Sequence, residues 1–254
     1  MELSVSIKKK LPHFDLDVSF SCRDSRLLAL VGPSGAGKTT TIRILAGLDR
    51  PDEGRITYNN EVWVDTDKKI FLPPQDRHLG YVFQEYTLFP HLTVIGNVAF
   101  GTGDKKAAES LLRRFNIWHL RDRKPDKISG GERQRCAICQ AMIRRPRLLL
   151  LDEPFSALDA VTRQNLRKEV RTLKQELSIP VIHVTHDISE ALYLADDVLP
   201  MVGGRIVRKW MVQFMLKGRP SEQERVTEDI YALESDSRNS EELSVLYDSL
   251  EVIQ

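Results

Sequence analysis

Eight consecutive residues, Gly32-Pro33-Ser34-Gly35-Ala36-Gly37-Lys38-Thr39, fit the pattern G-x-x-x-x-G-K-[ST]. Small residues at that spacing let backbone N–H groups curl around phosphate oxygens, while the lysine bridges the terminal phosphates and the hydroxyl ligates Mg²⁺. Lys38 and Thr39 occupy those two positions, with Thr40 beside them. Such a turn needs a strand before it and a helix after it, because the partial positive charge of the helix N-terminus faces the anion. Leu27–Val31 is an unbroken apolar run, and Lys38–Ala46 reads as a helix with Gly47 as its stop. The predicted ligand is a nucleoside triphosphate with magnesium.

A second apolar run, Leu148–Leu151, leads directly into Asp152-Glu153-Pro154. Two carboxylates thus emerge at the C-terminal edge of a buried strand, where α/β sheets place their ligands. Asp-Glu after apolar residues is by itself a common strand-to-loop transition. With the phosphate loop upstream it matches a Walker B motif, in which Asp152 holds Mg²⁺ and Glu153 orients or deprotonates the attacking water.

These groups need a sheet to hold them. Alternating stretches at Glu2–Ile7, Phe14–Phe20 and Arg55–Tyr58 predict a small antiparallel β-subdomain. Apolar runs at Leu79–Phe83, Leu148–Leu151, Val181–Thr185 and Val198–Val202 lack polar alternation, as parallel strands covered on both faces do. Val161, Leu166, Val170, Leu173 and Leu177 recur at helical spacing behind Asp159, a cap residue, so the pattern is a doubly wound α/β core. Residues from about 85 to 145 read as a helical insertion, with Ala108, Leu111, Leu112 and Phe115 on one stripe of a helix over Lys105–Asn116.

Composition narrows the function classes. Thirty-seven basic against 36 acidic residues give a net charge of +1, which disfavours nucleic acid as a partner. No apolar run approaches the roughly 20 residues that cross a bilayer, and the N-terminus lacks a signal-peptide core, so a cytoplasmic place is expected. Cys136 and Cys139 form a C-x-x-C inside a predicted helix without a second pair, a packing arrangement rather than a metal site. Residues 221–254 carry ten acidic and two basic side chains, a net −8 against +9 on the rest. Leu243, Leu246 and Leu250 fit a short amphipathic helix, and the composition fits a loosely ordered acidic tail equally well.

Ile128-Ser129-Gly130-Gly131-Glu132-Arg133-Gln134-Arg135 resembles the signature L-S-G-G-Q of the ABC ATPases. Serine and two glycines at a helix start make a second anion site of hydroxyl, bare N–H groups and dipole. Ile128 and Glu132 depart from the family pattern, and the contact from position 132 is the one put in question. Gln84 resembles the family's Q-loop, Ser156-Ala157-Leu158-Asp159 its D-loop, and His186 its switch histidine. The motifs span residues 32–186, and the resemblance covers about residues 1–210.

The resemblance implies a P-loop ATPase with an ABC core over 1–215 and an acidic tail over 216–254. It implies ATP and Mg²⁺ as ligands, with Gly32 to Thr40 and the partner's Ser129, Gly130, Gly131 and Glu132 around the nucleotide, and Thr39, Gln84 and Asp152 at the metal. Lys38, Glu153, Gln84 and His186 form the catalytic set, and Phe14 is the candidate to stack on adenine, with His13 as the second choice. Two copies would sandwich two ATP molecules, dock a transmembrane permease and serve a substrate-binding protein from the cytoplasmic face of the inner membrane. Gln84–Gly101, with Tyr86 to His91, resembles the permease-docking stretch of importers, and its apolar side chains serve a partner groove and a core of their own in part each.

Within the importers, Leu-Phe-Pro-His-Leu-Thr-Val and Asp-Glu-Pro-Phe-Ser-Ala-Leu-Asp look like the branch for molybdate, tungstate, sulfate, spermidine or sugars. The short N-terminal strand segment looks most like molybdate subunits. The chain is expected to be too short for the C-terminal β-domain many of those subunits carry; either that regulation is missing or the tail replaces it. A soluble ABC clamp of DNA repair or translation is the alternative of another class, and a polyamine or sugar importer the alternative within this one.

Overall fold

The computed structural model describes residues 2–207 apart from 86 and 177. Every element below belongs to one unit, Met1–Ile206. The expectation of an acidic, partly helical tail falls outside the described residues, as do Leu177 and Tyr86.

Three strands at the N-terminus follow the alternation in their sequences. β1 (Glu2–Lys10) pairs antiparallel with β2 (Asp15–Arg23) from Glu2 opposite Arg23 to Lys10 opposite Asp15, and on its other edge with β4 (Glu53–Tyr58). In β1 every second residue through Ile7 is buried. Asn59 and Asn60, both at positive φ, turn β4 into β5 (Glu61–Asp65), the left-handed pair that a tight hairpin requires. A two-residue strand β6 (Ile70–Phe71) closes that edge.

The apolar runs form the parallel part. β3 (Leu27–Val31), β7 (Leu79–Val82), β8 (Leu148–Asp152), β9 (Val181–Thr185) and β10 (Asp197–Val202) lie side by side in the order β10, β3, β9, β8, β7, all parallel. β3, β8 and β9 are buried at all five positions, as two covered faces demand. The antiparallel strands do not form a sheet of their own. β11 (Arg205–Ile206) folds back on β10 through Gly203 and Gly204 and meets β2, so 11 strands make one sheet. The hairpin's two left-handed glycines allow the reversal that joins the halves.

Helices cover both faces. Side chains alternate along β8: Leu148 and Leu150 pack with Ile42, Leu45 and the antiparallel strands, while Leu149 and Leu151 pack with Ala108, Leu112, Ile138 and Leu166. α1 (Lys38–Ala46) lies on the first face. Between β7 and β8 come α2 (Val94–Ala99), α3 (Lys105–Arg114) and α4 (Gly130–Met142). Cys136 and Cys139 are buried in α4 within the second core. α5 (Ala160–Glu176) buries Leu166, Val170 and Leu173, but Val161 is 70% exposed. Its first turn, capped by the Asp159 carboxylate on the N–H groups of Val161 and Thr162, stands clear of the core that the later turns cover.

Candidate nucleotide site

The phosphate loop joins β3 to α1. Gly35 and Gly37 hold φ of 83° and 96°, a left-handed conformation that glycine takes without strain. Gly32 is needed for space: a Cβ there would lie 2.0 Å from the Met201 carbonyl oxygen. Gly37 caps α1 with no side-chain hydrogen bond, so the helix start offers its N–H groups to an incoming anion. Ala36 is buried and anchors the loop, its N–H on Pro33 O and its carbonyl accepting from Gly204 N.

Lys38 is buried, and its Nζ donates to the carbonyls of Gly32 at 2.8 Å and Pro33 at 2.9 Å. Burial pulls its ammonium below the usual lysine range, against the pull of Glu153 and Asp152. The Glu153 carboxylate lies 4.0 Å from Nζ. Thr39 Oγ1 donates to Asp152 Oδ1 at 3.2 Å, and Tyr81 OH donates to Asp152 Oδ2 at 3.0 Å. Burial raises the Asp152 carboxyl above its usual range, opposed by those two hydroxyls. Thr39, Asp152 and the amide of Gln84 offer only oxygen ligands, a hard donor set that suits Mg²⁺ completed by phosphate and water.

Glu153 sits where β8 ends. Its φ is 44°, a left-handed conformation for a residue with a side chain, and its N–H is held by Val184 O at 2.9 Å. The carboxylate reaches His186 Nδ1 at 3.0 Å through Oε2, and His186 is half exposed. Lys38, Thr39, Gln84 and Glu153 line one cleft of about 410 Å³ with Ser34, Gly35, Gly37 and Thr40. His13 and Phe14 line it as well. Phe14 packs over the glycines: a Cβ at Gly204 would lie 2.7 Å from its ring and one at Gly37 3.3 Å.

Ser129, Gly130, Gly131 and Glu132 do not line that cleft; they start α4. Ser129 is its N-cap: Glu132 Oε2 accepts from Ser129 N at 2.7 Å, and Ser129 Oγ accepts from Glu132 N at 3.4 Å. Burial works against the charge on Glu132, yet the hydrogen bonds from Ser129 hold its carboxyl below the usual range. Gly131 has no room for a side chain, since a Cβ would lie 2.4 Å from Thr162 Cγ2 on α5.

Three supporting contacts escaped sequence reasoning. One is Tyr81, whose hydroxyl in an apolar strand needed an acceptor. A second holds the turn of His186: Arg167 on α5 binds Asp187 and Glu190, each at 2.7 Å, and Glu190 meets buried His183 at 2.7 Å. Asp187 in turn caps α6 (Ile188–Leu194) through Glu190 N. The third is Asn97, fully buried, whose amide bonds Phe89 N and the carbonyls of Phe89, Leu92 and Thr93 and so fixes the stretch after Gln84. Phe100 beyond it is 53% exposed, with Phe89 packed on it at 4.3 Å. Among the described residues no helix is long and apolar enough to cross a membrane.

The family model described as ABC transporter matches residues 16–156. The molybdenum import ATP-binding protein of Methylococcus capsulatus is 46% identical over 201 residues, 77% of this chain and 56% of that protein. The molybdate/tungstate import ATP-binding protein of Archaeoglobus fulgidus is 42% identical over 229 residues, 87% of this chain and 92% of the other. A probable sulfate/thiosulfate import ATP-binding protein of Chlorella vulgaris is 42% identical over 80% of this chain and 88% of its own length. The chain spans only 56% to 59% of three molybdenum import relatives. A solved ATP-binding cassette, in a dimeric post-hydrolysis state with ADP and Pi, superposes with a TM-score of 0.69 at 28% identity, covering 82% of this chain and 97% of that one.

Proposed function

The chain belongs to the ABC transporter family, and we propose that it binds and hydrolyses ATP to power an importer for an oxyanion, molybdate, tungstate or sulfate. The carrying observation is the Glu153–His186 pair at 3.0 Å beside the cleft that Lys38 and Thr39 line. The cargo class comes from the names of the relatives and not from a residue of the site.

In this reading Lys38 exchanges its two loop carbonyls for the terminal phosphates, and the N–H groups of the loop and of α1 hold the remaining oxygens. Thr39, Asp152 and Gln84 would hold Mg²⁺, which supplies charge neutralisation at the β- and γ-phosphates when bound. Glu153 accepts a proton from water as that water attacks the γ-phosphate, and ADP and phosphate leave. His186, released from Glu153, contacts the γ-phosphate. Phe14 stacks on the adenine.

Ser129 and its glycines complete the site from a second copy, so two chains related by a two-fold axis enclose two nucleotides. Loss of the γ-phosphate removes the contact that joins them. The permease docks at the stretch after Gln84, which holds the protein on the cytoplasmic face of the inner membrane, and a substrate-binding protein delivers cargo on the far side. Residues 1–215 are the ATPase domain in this scheme, with 216–254 an acidic appendage.

The test is to purify the tagged chain from native membranes and measure ATP hydrolysis with molybdate, tungstate, sulfate, polyamines and sugars, each with its binding protein. Copurifying channel subunits and stimulation by an oxyanion are expected. Stimulation by a polyamine or sugar would overturn the cargo, and absence of any copurifying membrane protein would overturn the importer.

A further inference from the structure

Asp152 is the group on which the proposed cation site turns, and it is almost completely buried, 3% exposed at the end of β8. Each of its oxygens has one hydroxyl: Thr39 on Oδ1 at 3.2 Å, Tyr81 on Oδ2 at 3.0 Å. Thr39 can donate its proton to Oδ1 while its oxygen lone pairs face a metal, so that side of the carboxylate is open to the cation. Tyr81 closes the other side. Its ring is stacked on Phe83 at a centroid distance of 4.0 Å and lies on β7, paired residue for residue with β8, which leaves the hydroxyl little freedom to leave Oδ2.

We infer that Tyr81 is a positioning residue for the cation site, its hydroxyl fixing Asp152 so that Oδ1 alone, with Thr39, is presented to the metal of a metal–nucleotide complex. The inference rests on the proposed nucleotide function and adds a residue to it. A partner that orients a metal-binding carboxylate without touching the metal commonly sets affinity by tenfold or more.

The experiment measures, by isothermal titration calorimetry on the full chain, affinity for a non-hydrolysable ATP analogue in EDTA and with saturating Mn²⁺. The ratio of the two affinities is the contribution of the metal. Tyr81→Phe is expected to lower that ratio roughly tenfold, while leaving the metal-free affinity unchanged within about twofold; a defect in folding would weaken both. Phe83→Leu, which keeps the hydroxyl and loosens only the ring pair, should lower the ratio less than Tyr81→Phe does, because the pairing of β7 with β8 still holds Tyr81 beside Asp152. A Tyr81→Phe ratio within about threefold of wild type overturns the proposal, and so does an equal loss in Phe83→Leu. A wild-type chain with no Mn²⁺ enhancement overturns it as well, whereas one that binds the analogue in neither condition removes the nucleotide reading itself, so the two failures are distinct.

Discussion

Two helices of this protein begin at glycine-rich turns, and they treat the positive end of the helix in opposite ways. At α1 the cap is Gly37, with no side chain to accept from the first N–H groups, and Lys38 adds a cation. At α4 the cap is Ser129, and Glu132 closes a capping box that brings a carboxylate to the same place. The first offers its donors to an anion; the second pairs the N–H groups of Ser129 and Glu132 within its own capping box and carries a negative charge. In the proposed function the phosphate loop therefore holds a nucleotide within one chain, whereas the signature meets a phosphate only when another copy presents one. Reactive groups follow the same division: Glu153, His186 and Asp152 gather at the α1 end, and none lies at α4.

The comparison is broken most severely by Glu153→Gln. The amide keeps the shape of the side chain and removes its capacity to take a proton, so hydrolysis should fall roughly 10³-fold with ATP affinity little changed. Because binding at α1 and capture by α4 persist, gel filtration in ATP should show a trapped dimer. Rapid turnover in the variant would end the role given to Glu153, and a variant that stays monomeric with ATP bound would end the division of labour between the two helices.

How much of this could be read beforehand differs between the two regions. β3 and α1 came out with the bounds the sequence predicts, because an apolar run, a glycine turn and a glycine stop are all local signals. The capping box at Ser129 and Glu132 is local too, though its reading as a family departure hid the hydrogen bond that Glu132 makes. Tyr81 on Asp152 and Arg167 on Asp187 and Glu190 were not legible. They join strands or helices far apart in sequence, and the order β9, β8, β7 that brings Tyr81 beside Asp152 is a property of the assembled sheet. The short strands β5 and β6 escaped because partners rather than length stabilise them.

The glycines sharpen the comparison through stability. Gly32→Ala meets a backbone carbonyl of β10, which cannot move without the sheet, and should cost about 3 kcal/mol. Gly131→Ala meets the terminal methyl of Thr162, a side chain at the exposed start of α5, and should cost about 1 to 2 kcal/mol. Thr162→Ser removes that methyl and should restore most of the Gly131→Ala loss, read as urea midpoints. Equal losses at the two glycines, or no rescue by Thr162→Ser, would mean that α4 is as tightly built into the core as α1.

Glu132→Gln is the mildest change and isolates the charge at α4. The amide can still accept from Ser129 N, so what is lost is a negative charge at a helix N-terminus, about 0.5 kcal/mol at neutral pH. The sign of its pH dependence follows from the depressed carboxyl. A group whose folded pKa lies below its unfolded one contributes stability that is complete above the unfolded value and is lost as pH falls through the folded value. The wild-type advantage in urea midpoint should therefore be present at pH 7 and shrink toward zero below the ordinary glutamate range. A gap that stays constant with pH would assign the effect to hydrogen-bond geometry, and the contrast between an open and a self-charged helix start would lose its electrostatic half. Nucleotide affinity of the isolated chain should not change in either case, because Glu132 lies outside the cleft around Lys38.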